Sequence, residues 1–320
     1  MAKILITRKL PGSALARLHA LAELDIWTAD SPMPRGEILR RIADCDGLLC
    51  LLTDRIDREV IAAAPKLKII ANYAVGYDNI DVNAARERGI MVANTPGVLT
   101  EATADLAWAL LMAAARLVPT GDRLVRSGRW AGWDPNLLLG ASVFGQTLGI
   151  VGAGRIGTAV ALRSGGFKMN VVYTSRRPNE ILEDELGARR LELEELLAQA
   201  DFVSLHLPLT AATRHLIGPR ELKMMKPGAV LINTARGPVV DEAALAQALQ
   251  DGPLAAAGLD VFENEPAVNP ALLDLPNVVL LPHLGSATLA TRSRMADIAA
   301  ANLIAWIQGR VAPNCVFEPA

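Results

Sequence analysis

One turn constrains this chain more than any other feature. Thr147 to Val151 reads as a buried strand, Gly152-Ala153-Gly154-Arg155-Ile156-Gly157 follows it, and the run 155–164 reads as a helix. Three glycines at that spacing, between a strand and a helix, point to a βαβ unit that cradles a dinucleotide. The first glycine allows the tight turn, the second lets backbone approach a pyrophosphate, and the third lets the helix pack on the strand. Phosphates would sit at the helix N-terminus, where backbone N–H groups lack partners. Gly152, Ala153, Gly154, Arg155, Ile156 and Gly157 would line that site. A glycine-rich βα turn without a ligand is the bland alternative.

Strands and helices alternate on both sides of this turn. Upstream, Lys3 to Thr7, Gly47 to Leu52, Lys68 to Tyr73 and Ile90 to Ala93 read as strands. The helical stretches among them run from Gly12-Ser13 to about Leu24, over 57–64 and over 81–88. Downstream, strands are expected at Asn170 to Thr174, Phe202 to His206, Ala229 to Ile232, Ala255 to Asp260 and Val278 to Leu281, with helices over 219–225 and 241–250. Such alternation predicts an α/β fold of parallel, doubly wound sheets. At 320 residues there is length for two such Rossmann-like domains, with the active site expected in the cleft between them. Thr95-Pro96-Gly97 marks a hinge. Residues 1–99 form the expected substrate domain and 100–284 the dinucleotide domain. A last helix over about 288–308 would cross back, so that 285–320 joins the first domain and makes it discontinuous.

Thr100 is placed to cap a helix over about 101–117 that is apolar nearly all round, which predicts burial on every side. A subunit interface is one way to supply that burial. Residues 119–146 read as a long connection carrying Trp130 and Trp133. Connections of that length usually have a job or a partner. Helix and loop together are read as a dimerisation arm, and a homodimer is expected.

A net charge of −2 does not favour nucleic acid or an anionic membrane as partner. Cys45, Cys50 and Cys315 are odd in number and form no C-x-x-C, as expected of a reducing cytoplasm. Ile4 to Ile6 is too short for the apolar core of a signal peptide. Residues 135–154 carry no charge, but five glycines, Pro135, Asn136 and Gln146 interrupt them and argue against a membrane span. No histidine pair has metal-ligand spacing, so no metal is expected.

Three apolar runs end in chemistry. Arg236 follows the run ending at Ile232, Glu265 follows Gly258-Leu259-Asp260, and His283 follows Val278 to Leu281. Groups just past the carboxyl ends of parallel strands line the ligand crevice of such sheets. A fixed cation, a carboxylate and an imidazole there suit a carboxylate-bearing carbonyl compound and the movement of one proton. In Ala74-Val75-Gly76-Tyr77, the glycine lets backbone N–H groups face a ligand. The strand ending at Thr174 continues into Ser175-Arg176-Arg177, where an NAD enzyme would place a carboxylate on the ribose hydroxyls. Two guanidinium groups and a hydroxyl suit a 2′-phosphate instead, so NADP(H) is expected to be preferred, with NAD(H) possible.

Over about residues 45–310 the chain resembles the D-isomer-specific 2-hydroxyacid dehydrogenases, and among them most the glyoxylate/hydroxypyruvate reductases. The resemblance rests on Asn72-Tyr73-Ala74-Val75-Gly76-Tyr77-Asp78-Asn79, the glycine turn, His206-Leu207-Pro208-Leu209-Thr210, Ala235-Arg236-Gly237, Gly258-Leu259-Asp260-Val261-Phe262 and Pro282-His283-Leu284-Gly285-Ser286. It implies Arg236, Glu265 and His283 as the catalytic set, with His283 as general acid–base and Glu265 on its imidazole. It implies Val75 and Gly76, besides Arg236 and His283, as substrate contacts. Thr100, Pro208, Thr234, Ala235 and Asp260 join the cofactor set, and Trp133 matches a residue that approaches the neighbouring subunit's site in some relatives. A 2-keto-gluconate reductase and a phosphoglycerate dehydrogenase are the rival enzymes. A dinucleotide-sensing scaffold is the rival of another class. The regulatory domain or tail usual in the last two is not expected here.

Overall fold

The computed structural model describes residues 1–317. Contacts divide the chain into two compact units, Met1–Leu99 with the stretch from Ser286 onward, and Thr100–Gly285.

The first unit runs β1 (Ala2–Ile6), α1 (Ala14–His19), β2 (Ala22–Ile26), α2 (Arg35–Ile42), β3 (Gly47–Cys50), α3 (Arg58–Ala62), β4 (Ile69–Asn72), α4 (Val82–Glu87) and β5 (Met91–Ala93). Its five strands form one parallel sheet in the order β2-β1-β3-β4-β5. Successive side chains of a strand point to opposite faces. Ile4 and Ile6 accordingly join the core under α1, while Leu5 joins the core under α2, α3 and α4. With both faces covered, the central strands β3 and β4 are buried along their whole length rather than at alternate positions.

The second unit runs α5 (Thr100–Ala115), α6 (Val118–Arg126), β6 (Thr147–Val151), α7 (Arg155–Arg163), β7 (Asn170–Thr174), α8 (Glu180–Leu186), β8 (Arg189–Arg190), α9 (Leu193–Gln199), β9 (Phe202–Leu205), α10 (Pro219–Met224), β10 (Val230–Asn233), α11 (Glu242–Gln250), β11 (Ala256–Leu259), α12 (Pro270–Leu273) and β12 (Val278–Leu280). Its seven strands are parallel in the order β12-β11-β10-β9-β6-β7-β8. Chain direction across the sheet reverses between β6 and β9, and that switch point is where such sheets bind ligands. The last helix, α13 (Leu289–Ile307), belongs to the first unit. Its Met295, Ala296, Ala299, Ala300 and Leu303 close the core over Ile4, Ile6 and Ile69.

Four expectations need correcting. The helix read through Leu24 stops at His19, and Ala22–Ile26 is the strand β2. Ala22-Glu23-Leu24-Asp25-Ile26 alternates apolar and polar, and at the sheet edge only Ala22 is fully buried, so its apolar residues also suited a helical stripe. The connection 119–146 contains α6, started by Pro119 in its first turn. The helix α5 is not buried all round within its own unit. Ala104, Ala107, Leu110, Leu111 and Ala114 pack on the sheet, while Glu101, Asp105 and Ala109 are exposed. It lies close because Gly258 of β11 has no side chain; a Cβ there would stand 3.0 Å from the Leu110 Cβ. Thr100 is its first residue rather than its cap.

No single helix among the described residues is long and apolar enough to cross a membrane. The α5–α6 pair would suffice in length and composition, but it is bent by 64°.

Candidate active site

The glycine turn is built as a dinucleotide cradle. Gly152 has φ 99°, and a Cβ on it would lie 2.6 Å from the His206 carbonyl oxygen at the end of β9. Gly157 lets α7 settle on β6, since a Cβ there would meet the Gly152 carbonyl at 2.2 Å. Gly154 differs: a Cβ there would meet no protein atom within 4 Å. Packing does not demand glycine at that position, and the open space is what close approach of a pyrophosphate needs. Gly154 is also the N-cap of α7, with no side chain accepting from the first turn, so Arg155 and Ile156 begin a helix end suited to an anion. The residues present therefore fit a dinucleotide.

Asn179, which sequence reasoning passed over, fastens this cradle to the next loop. Its Nδ2 donates to the Ala153 carbonyl at 3.0 Å and to Thr158 Oγ1 at 2.7 Å, and its Oδ1 accepts from Leu182 N–H. Asparagine before a helix carries a capping signal, but its reach to Ala153 is a long-range fact. Beyond β7, Arg176 and Arg177 are exposed, and their side chains have no hydrogen-bond or ion-pair partner among the described residues. The turn itself is held: Ser175 Oγ donates to the Arg177 carbonyl, and the Arg190 guanidinium donates to the carbonyls of Ser175 and Arg176 at 3.0 and 3.4 Å.

Past β9, Pro208 accepts from Thr213 Oγ1 at 2.7 Å. His206 has its Nε2 paired to Ser204 Oγ at 2.9 Å and its Nδ1 buried without a hydrogen-bond partner among the described residues. Burial pushes it down to about 3, so it is neutral at ordinary pH.

Arg236, Glu265 and His283 follow β10, β11 and β12 in turn. His283 Nδ1 lies 2.9 Å from Glu265 Oε2. Burial alone would raise the Glu265 carboxyl. The His283 hydrogen bond and charge, the Phe262 N–H and the charge of Arg236 outweigh it and hold that carboxyl below its usual range. The pair thus fixes the ring and leaves Nε2 for other chemistry. Arg236 Nη1 donates to the Ala235 carbonyl at 2.8 Å, and Asn233 braces the loop by bonding Arg236 O and Ala235 N–H, each at 3.0 Å. Thr234 Oγ1 is buried with no hydrogen-bond partner among the described residues. Asp260 is 1% exposed, and its carboxylate accepts from Leu284 and Gly285 N–H at 2.6 and 2.8 Å. It therefore supports the loop that carries His283, whose own N–H bonds the Asp260 carbonyl at 2.9 Å. Desolvation raises the Asp260 carboxyl, against the N–H groups it accepts from and the charge of His283.

A second brace joins the same loops. A Cβ on Gly237 would stand 1.9 Å from the Phe262 carbonyl carbon, so backbones touch there. Beside it Glu242, 4% exposed, accepts from Glu263 N–H at 2.6 Å, and Glu263 pairs with His215. Sequence patterning gave no signal for this cluster, because its members read as ordinary helix and loop acids. The described residues include no group of three or more His, Cys, Asp or Glu able to hold a metal ion. Val75 and Gly76 lie on the first unit, after β4.

Comparison with known proteins agrees with this architecture. Residues 108–285 match the family model of the D-isomer specific 2-hydroxyacid dehydrogenase, NAD binding domain. Over 318 residues the chain is 52% identical to a glyoxylate reductase of Thermococcus litoralis, covering 98% of this chain and 96% of that protein. A crystal structure of a protein from Thermus thermophilus superposes with a TM-score of 0.92 at 50% identity, covering 98% of this chain and 100% of that one. An NADPH-dependent glyoxylate/hydroxypyruvate reductase of Sinorhizobium meliloti, solved with NADP and malonate, superposes with a TM-score of 0.87 at 39% identity, over 98% and 96% of the two chains. The chain belongs to the D-isomer specific 2-hydroxyacid dehydrogenase family. It is an oxidoreductase with a nicotinamide-dinucleotide-binding domain and a small-molecule substrate.

Proposed function

We propose that this enzyme reduces small 2-oxo acids, glyoxylate and hydroxypyruvate, to 2-hydroxy acids and prefers NADPH. The observation that carries the reading is the 2.9 Å pairing of His283 with Glu265, with Arg236 on the adjoining strand end. Arg236 holds the substrate carboxylate and carbonyl and meets negative charge developing on the oxygen. The N–H groups of Val75 and Gly76 bind the same carboxylate. His283 gives a proton to the carbonyl oxygen, and Glu265 keeps the ring oriented. The reduced nicotinamide, when bound, supplies the hydride that goes to the carbonyl carbon.

Gly152, Ala153, Gly154, Arg155, Ile156 and Gly157 hold the pyrophosphate, with Ser175, Arg176 and Arg177 at the 2′-phosphate. Thr100, Pro208, Thr234 and Ala235 line the rest of the cofactor site. Asp260 acts there through the His283 loop. The working form is a homodimer through α5, α6 and the loop that follows. Supporting it, α6 has no buried residue, and Trp133 and Trp130 are 85% and 51% exposed. The protein works in the cytoplasm.

Initial rates with glyoxylate, hydroxypyruvate and 2-keto-D-gluconate, each with NADPH and NADH, test the reading. The expected result is the highest kcat/KM for one of the two small acids with NADPH. A clear advantage for 2-keto-D-gluconate would replace it with a sugar-acid reductase, and no turnover of any would favour a dinucleotide sensor.

A further inference from the structure

We propose that Asn94, assisted by Asn72, is a positioning residue for substrate: it fixes the peptide plane that presents the Gly76 N–H. The inference rests on the substrate reading of Val75 and Gly76 above. Three consecutive carbonyls beyond β4 are each tied down. Ala74 O accepts from Thr95 N–H at 2.9 Å, Val75 O from Asn94 Nδ2 at 2.8 Å, and Gly76 O from Asn72 Nδ2 at 2.8 Å. A trans peptide is planar, with its N–H opposed to its C=O. Holding the Ala74 carbonyl therefore sets the direction of Val75 N–H. Holding the Val75 carbonyl sets that of Gly76 N–H, and holding the Gly76 carbonyl sets that of Tyr77 N–H. No described residue accepts from the N–H of Val75, Gly76 or Tyr77. The result is a short run of oriented, unspent donors, the kind of concavity that takes an anion.

The asparagines are themselves anchored. Asn94 O accepts from Asn302 Nδ2 at 3.1 Å, and Asn94 N–H donates to Asn314 O at 3.2 Å. Asn314 N–H in turn donates to Asn302 Oδ1 at 3.1 Å, and Asn302 is fully buried. Asn72 is fully buried too and donates to Asn79 Oδ1 at 3.1 Å. Without Asn94 Nδ2 the Val75–Gly76 peptide keeps no tether on its oxygen, and glycine at one end lets it rotate. Main-chain bonds still hold residue 94 in Asn94→Ala, because neither of them uses its side chain.

The test combines kinetics with amide resonances. In Asn94→Ala, KM for glyoxylate should rise about tenfold, as for loss of one net hydrogen bond, with kcat and the KM for NADPH changed much less. Titrating glyoxylate into the NADP-loaded full-length enzyme should move the Val75 and Gly76 amide resonances of the unmutated protein saturably. In Asn94→Ala the Gly76 response should weaken in step with KM, while shifts of residues 153–156 on cofactor addition stay. Asn94→Asp, an isostere with no side-chain N–H at neutral pH, should behave alike and serves if the alanine variant is unstable. Unchanged KM and an unchanged Gly76 response in both variants would overturn the role of Asn94. Silent Val75 and Gly76 amides in the unmutated enzyme would instead overturn the substrate reading itself and take this inference with it.

Discussion

Replacing Arg176 and Arg177 together by glutamine should erase most of the proposed preference for NADPH over NADH. Both side chains stand beyond β7 in solvent with no partner among the described residues, so no existing ion pair must break before a phosphate binds. A hydrogen bond to a charged group contributes roughly 1.5–3 kcal/mol. Exposed ion pairs keep only up to about 1 kcal/mol each, because water and salt compete. Two such contacts therefore amount to about 2 kcal/mol, or roughly thirty-fold in the ratio of KM values. The direction is fixed by charge: the 2′-phosphate is an anion absent from NADH, so losing two cations weakens NADPH alone. With saturating cofactor kcat should stay, since the 2′-phosphate these arginines are proposed to bind takes no part in hydride transfer. The preference should also shrink as salt rises, because the screening length falls from about 10 Å at 0.1 M to about 3 Å at 1 M. Initial rates with both cofactors, at two salt concentrations, read all of this. Equal KM values in the unmutated enzyme, or an undiminished ratio in the double variant, would refute the reasoning and leave the arginines as surface residues.

His283→Ala should lower kcat by about 10²–10⁴, the usual cost of a lost acid–base group, with little change in cofactor affinity by fluorescence titration. Glu265→Gln removes the charged partner of His283 Nδ1 while keeping its shape, so kcat should fall about ten- to a hundredfold, the worth of a hydrogen bond to a charged group, with cofactor affinity little changed; an unchanged kcat argues against the pair. Arg236→Lys keeps charge but loses the planar fork, and steady-state rates should show a large fall in kcat/KM; equal activity would mean that substrate is held elsewhere. Light scattering at micromolar concentration should give twice the 34.1 kDa chain mass, and a monomer would count against the arm as an interface.

What the sequence made legible, and what it hid, divides along the range of the interactions. Strands buried on both faces write themselves as apolar runs, as Gly47–Cys50 and residues 230–232 do, so the strand ends could be placed in advance. The glycine turn was legible because its three glycines keep a fixed spacing between an apolar strand run and a helical run, although Gly152 answers to the distant His206 carbonyl and packing makes no demand at Gly154. The edge strand Ala22–Ile26 was not, since a half-exposed edge keeps too few apolar positions to separate period 2 from 3.6. The helix Val118–Arg126 was hidden by Pro119 and Gly121, residues that read as breakers although proline is at home in a first turn. Asn94, Asn179 and Glu242 were invisible for another reason. Their partners lie 19, 26 and 21 residues away in sequence, and only the folded chain brings those backbone groups to them.

The placement of α13 has a consequence for how the protein is made. The face of the first sheet formed by Ile4, Ile6, Leu49 and Ile69 is covered in part by Met295, Ala299 and Leu303, which leave the ribosome long after it. At roughly 5–20 residues per second, the stretch from Ile69 to Leu303 keeps that face waiting on the order of 10–50 s for its cover. The unit from Thr100 to Gly285 carries its own core and can close while the first remains open. Nascent chains arrested before Leu289 should therefore show a protease-resistant second unit and a sensitive first one, whereas equal resistance of both would mean that the first sheet is stable without its final helix. Until that helix emerges, the newborn enzyme offers chaperones an apolar surface that the finished one does not have.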